Sequence, residues 1–117
     1  PSGTHDLVIF ATILDHLPDP ARQHAITGIQ DCLKPGGYFY GNVFTRADPG
    51  FKSRQTGQDR NGVSETADAI AHYFAPGELR ACFCEHDIVE YREFEEMDFS
   101  HGPPHLHGWA CIIGRKR

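Results

Sequence analysis

The chain carries no run of Lys or Arg ahead of its last three residues, a single tryptophan, a single methionine and no long apolar stretch. Each shortage excludes something. A nucleic-acid footprint needs a basic stripe, whereas net charge here is −5 and the one cationic cluster is Arg115-Lys116-Arg117 at the end of the chain, read as a solvated tail. Nucleic acid is therefore not an expected partner. Spanning a bilayer takes about 20 consecutive apolar residues, so neither is a membrane. Cys32, Cys82, Cys84 and Cys111 form no Cys-x-x-Cys pair. Each falls inside an expected helix or strand, which predicts buried free thiols in a reducing compartment. Pro1 to Asp6 has neither the basic nor the apolar region of a signal peptide, and the expected location is cytoplasmic.

What remains is ordinary for a globular domain. With 39% hydrophobic and 23% charged residues, the sequence is not that of a disordered chain. Its 117 residues suffice for one small domain, residues 1–117, burying roughly two-thirds of the unfolded-chain surface.

The most organised stretch is Asp6 to Phe44. Leu7 to Phe10 is a continuous apolar run, the pattern of a strand buried on both faces of a parallel sheet. Asp19 offers an N-cap and Pro20 suits the first helical position. Ala25, Ile26, Ile29, Cys32 and Leu33 then recur at spacings of three and four, one apolar stripe. Lys34-Pro35-Gly36-Gly37 ends the helix, and Tyr38 to Phe44 is rich in aromatic and β-branched residues, a strand. Strand, helix and strand of this length imply a right-handed parallel crossover. Thr45 to Ser64, polar and glycine-rich, is expected to be a long loop. Glu65 to Tyr73 is predicted as a short helix and Pro76 to Cys84 as another. Ile88 to Phe94 and Trp109 to Gly114 are predicted as strands, separated by the proline-containing Gly102-Pro103-Pro104.

The Asp6–Phe44 unit, with its Leu33-Lys34-Pro35-Gly36-Gly37 turn, resembles the middle of a class I S-adenosylmethionine-dependent methyltransferase, from the fourth strand to the fifth. That resemblance implies an α/β fold: the C-terminal half of a Rossmann-like sheet, with the last strand inserted antiparallel between the fifth and the sixth. It also implies S-adenosylmethionine as cofactor, and a small-molecule, chalcogen or thiol methyl acceptor. In open α/β sheets ligands sit beyond the carboxyl ends of the strands. Phe10, Ala11, Thr12 and His16 are accordingly the expected cofactor-binding residues, with His16 able to move a proton. Small side chains at Ala11 and Thr12 leave the strand end open to a cofactor. Asn42, Thr45 and Arg46 leave the next strand on the same rim and are candidate substrate contacts, together with His101. Methyl transfer is mainly alignment and exclusion of water, so no triad is required. Phe74 to Tyr91 resembles the corresponding segment of tellurite-resistance-type methyltransferases.

The family's glycine loop belongs to an upstream strand, so this chain alone is expected to bind the cofactor poorly. Leu7 to Phe10 is expected to be a bare edge, forming a homodimer or pairing with a chain that carries the N-terminal half. His101, His105 and His107 offer a second reading, a non-enzymatic metal-binding domain. Three histidines within seven residues suit zinc or a similar ion, with Asp98 or Glu96 able to add an oxygen. On a continuous helix Cys82 and His86 would share a face at i and i+4.

Overall fold

The computed structural model describes residues 3–53, 63–66, 69–100 and 102–117. Strand β1 (His5–Ala11) leads through a 3-10 turn at Leu14–His16 into helix α1 (Asp19–Cys32), and β2 (Leu33–Phe44) returns parallel beside β1. Helix α2 (Pro49–Ser53) and a hairpin of β3 (Val63–Thr66) and β4 (Ala69–His72) follow. Helix α3 (Glu78–Cys82) then precedes two long strands, β5 (Asp87–Asp98) and β6 (His105–Arg115). The main sheet runs β1-β2-β6-β5, with β6 antiparallel to both neighbours. The α/β class and the inserted last strand are as expected.

Strand alternation gives the sheet two faces. On one, Phe10, Phe39, Val43, Ala110 and Ile112 are buried together with Ile26 of α1, Leu79 of α3 and Phe83 just beyond it. Phe83 stacks on Phe39 at 4.6 Å and on Phe10 at 5.6 Å between ring centroids. Two glycines make this possible. A Cβ on Gly41 would stand 2.0 Å from the Phe10 ring, and one on Gly114 would stand 2.1 Å from the Phe39 ring. The other face presents Leu7, Ile9, Tyr38 and Tyr40, all exposed.

That asymmetry corrects the expectation for Leu7 to Phe10. The run is buried on one face only, because α1 and α3 both pack on the Phe10 side. The capping of α1 is displaced by one residue: Pro18 is the N-cap, and Asp19 begins the helix and pairs with Arg22. The described residues of the expected Glu65–Tyr73 helix are not helical: Glu65 and Thr66 belong to β3 and Ala69–His72 to β4, where strand pairing overrides weak local preference. Phe74 bridges to Thr45 and is fully buried, and His72 is held by Glu78. The expected loop from Thr45 contains α2, nucleated where Asp48 Oδ1 accepts the Gly50 N–H at 2.7 Å. Helix α3 is shorter than Pro76–Cys84, because Gly77 sits at φ 75° as its N-cap. It ends at Cys82, so Cys82 and His86 share no helical face; His86 Nε2 instead lies 3.0 Å from Gln30 Oε1 of α1. All four cysteines are free, but Cys84 is exposed and the other three only half-buried, not buried as expected.

Candidate functional site

The carboxyl ends of β1 and β2 form one rim. At its centre the chain leaves β1 through Thr12, a β-branched residue at φ 49°. Such a conformation is strained for threonine. Asn42 holds it: the Thr12 N–H donates to the Asn42 side-chain oxygen at 3.0 Å and to its carbonyl at 3.1 Å. Ala11 is exposed beside it, whereas Phe10 turns its ring into the core. Of the expected cofactor contacts, Phe10 therefore offers only backbone to the rim, and Ala11, Thr12 and the exposed His16 stand on it.

The turn after Thr12 is pinned from below by Asp15. Its side chain is 1% exposed, and Oδ2 accepts the Phe44 N–H at 3.1 Å. Among the described residues, Oδ1 is buried without a hydrogen-bond partner, as is Nδ1 of His72. Burial raises the Asp15 pKa above its ordinary 3.8, against the opposing pull of the Phe44 N–H. Glu78 shifts the other way. Burial pushes it up, but its hydrogen bonds to His72 (2.6 Å) and to the Ala75 N–H (2.9 Å) prevail and lower it. Burial raises the pKa of the Cys82 and Cys111 thiols, which disfavours their thiolate forms.

The proposed substrate contacts divide. The Asn42 side-chain oxygen is occupied by Thr12. Thr45 is 4% exposed, and its hydroxyl accepts the Ala47 N–H at 3.3 Å. Arg46 is half-buried, with Nε donating to the Tyr73 carbonyl at 3.4 Å and the guanidinium 5.7 Å from the Phe51 ring centre. His101 lies outside the described residues.

Farther along the rim, β5 and β6 bring a second group together. Asp98 pairs with His105 across the hairpin, and His107 lies two residues along the same face. His107 packs against Phe44 at 4.9 Å and Trp109 at 5.8 Å. Its Nδ1 lies 2.8 Å from Oδ2 of Asp48, a residue 5% exposed. Gly108 makes that approach possible. A Cβ there would stand 2.4 Å from the Asp48 backbone nitrogen, and the Gly108 N–H donates to Asp48 Oδ2 at 3.1 Å. An open depression of about 620 Å³, lined by Glu96, Met97, Asp98, Phe99, Ser100 and Trp109, borders the cluster. Sequence reading named Asp98 and both histidines but missed Asp48. Its one local signal is the Asp-Pro-Gly triplet that starts α2.

No family model matches this sequence, and no curated protein matches it. Solved structures do. A S-adenosylmethionine-dependent methyltransferase from Methanosarcina mazei superposes with TM-score 0.72 at 23% identity, over 98% of this chain and 60% of its own. TehB from Haemophilus influenzae matches with TM-score 0.70 at 16% identity, over 100% of this chain and 37% of its own. The 1,6-didemethyltoxoflavin-N1-methyltransferase of Burkholderia thailandensis, solved with 1,6-didemethyltoxoflavin and S-adenosylhomocysteine, matches with TM-score 0.67 at 18% identity, over 99% of this chain and 45% of its own. The fold is thus a methyltransferase fold, and the chain spans three-fifths or less of the length of these neighbours.

Proposed function

We propose that this chain forms the acceptor-side part of an S-adenosylmethionine-dependent methyltransferase acting on a small molecule. The observation that carries the reading is the Ala11–His16 rim, on a fold shared with methyltransferases over nearly the whole chain. The residues present fit the methionine end of the cofactor. Ala11 is small and exposed, Phe10 is turned away, and the Thr12 backbone bends sharply under Asn42. Backbone can therefore be approached closely at this strand end. When bound, S-adenosylmethionine supplies an electrophilic methyl group on a sulfonium.

The chain's own part is alignment. Asp15 ties the turn after β1 to the end of β2 through the Phe44 N–H. His16, exposed on that turn, is placed to accept a proton from an acceptor or to orient it. Arg46 supplies a cation on the same rim, suited to an anionic acceptor. A thiol or a chalcogen oxyanion, as in a tellurite-resistance-type enzyme, fits this set; neutral acceptors would use His16 instead.

The test is a titration of S-adenosylhomocysteine into the isotopically labelled chain, followed by amide shifts. Weak binding at millimolar concentration is expected, with the largest shifts at Ala11 to His16 and their loss in Ala11→Tyr. Shifts elsewhere, or none at saturating concentration, would refute the reading.

A further inference from the structure

The Asp98, His105 and His107 side chains share a feature that ordinary surface histidines lack. Each histidine has Nδ1 held by an oxygen acceptor and Nε2 turned toward Asp98. His105 Nδ1 lies 3.0 Å from the Pro103 carbonyl, so it carries the proton and donates. His107 Nδ1 donates likewise to Asp48 Oδ2. The Asp98 Oδ1 accepts from the Ser100 N–H at 2.8 Å and from its hydroxyl at 2.5 Å. On their other side, Nε2 of each histidine faces Oδ2 of Asp98. That oxygen is 3.3 Å from His107 Nε2 and 3.6 Å from His105 Nε2, and the three residues each offer one ligand atom within 4.8 Å of the others.

This is the arrangement by which proteins orient metal ligands. A histidine that gives its Nδ1–H to a carboxylate or carbonyl presents a fixed Nε2 lone pair, and the outer partner raises its basicity. Two imidazole nitrogens and one carboxylate oxygen suit a borderline divalent ion. With bonds of about 2.0–2.1 Å, tetrahedral ligand atoms stand roughly 3.3 Å apart, close to both distances from Asp98 Oδ2 to the histidines. Strand geometry explains the convergence: Asp98 and His105 are cross-strand partners and His107 is two positions on, so all three project from one face.

We propose that Asp98, His105 and His107 form a binding site for a single divalent transition-metal ion of the zinc class, with Asp48 as the outer partner that orients His107. Three ligands from the described residues leave at least one coordination position for another group. The Asp98 side of the cluster opens on the depression beside Trp109. If the methyl-transfer reading holds, an anionic acceptor oxygen or thiolate takes that position; the ion site itself does not depend on that reading.

Chelator-stripped chain is titrated with Co²⁺ and then Zn²⁺, without any methyl donor, following the visible absorption of cobalt and the heat of zinc binding. One ion per chain is expected, with intensified cobalt bands typical of four-coordination that Zn²⁺ displaces. His105→Gln should weaken binding at least about 100-fold. Its side chain is 41% exposed, so the fold tolerates the change. Asp48→Asn should weaken it by about 10–100-fold, the usual effect of losing an outer partner. Unbound wild type at millimolar metal, or full affinity retained in a His105→Gln, His107→Gln double variant, overturns the site. Because the S-adenosylhomocysteine titration is run on stripped protein, either idea fails without the other.

Discussion

The two faces of the main sheet are made by the same strands and differ in nearly everything else. On the covered face Phe39, Val43 and Ile112 are fully buried, and glycines at 41 and 114 admit aromatic rings against the backbone. On the other face, at adjacent positions, Tyr38 is 45%, Leu7 54% and Ile9 61% exposed. Residue type does not distinguish the faces, since both are apolar. What differs is whether a helix lies over them. Stability is thus concentrated on the α1 and α3 side, while the rim chemistry involving Asn42, Phe44, His105 and His107 lies at the edge of the open one.

The largest way to break this contrast is Phe39→Ala. Removing a fully buried ring that also stacks on Phe83 should cost about 3–5 kcal/mol, whereas Tyr40→Ala, one residue on and facing outward, should cost under about 1 kcal/mol. Urea unfolding of both variants checks the ratio. Equal losses would mean that the open face is covered in solution. Next is Gly108→Ala, which forces a Cβ into the Asp48 backbone. A loss of about 1–3 kcal/mol is expected, with displaced His107 ring resonances reporting the detached Asp48.

Asp15 sharpens the comparison through pH. Its folded pKa is raised, so the folded state holds the proton more tightly than the unfolded one. Its contribution is therefore fully present below the ordinary value of 3.8 and lost as pH rises through the folded pKa. Asp15→Asn should raise the melting temperature by a few degrees at pH 7, and the advantage should shrink on acidification toward pH 4. Glu78 has the opposite sign: its pKa is lowered, so its contribution is present at neutral pH and is lost as pH falls. A melting curve for Asp15→Asn that parallels wild type at every pH would remove the buried-carboxylate account. The smallest effect belongs to Ile9→Thr, expected within about 0.5 kcal/mol. Calorimetry would reveal a larger loss if that side chain were buried by self-association.

The parallel pair and the crossover helix were legible because their signals are local or periodic: an apolar run, a spacing of three and four, a Pro-Gly-Gly stop. The inserted last strand came only from the resemblance to methyltransferases, since no local pattern says where a strand pairs. The one-sided burial of Leu7 to Phe10 was not legible. An apolar run reports what a strand can bury, not which helices reach it. The β3–β4 hairpin was hidden for a related reason. Glu65 and Asp68 read as favourable helix starts, while the contacts of His72 with Glu78 and of Phe74 with the end of β2 join residues that no local pattern connects. At the candidate site, strand alternation places His105 and His107 on one face, but the partnership of Asp48 with His107 spans 59 positions and depends on Gly108 having no side chain.

Strand β6 also outlasts its neighbour. Trp109 to Arg115 is paired on both sides, by β2 and β5, whereas His105 to Gly108 has only β5 as a ladder partner. One continuous strand therefore spans two regimes of opening. Amide protons from Ala110 to Gly114 should exchange with deuterium only as the whole domain unfolds, and those at the His105 end by local fraying. Any ligand that ties His105 and His107 to Asp98 would slow exchange at that end alone. The protection gradient along this single strand thereby becomes a readout of occupancy at the histidine cluster.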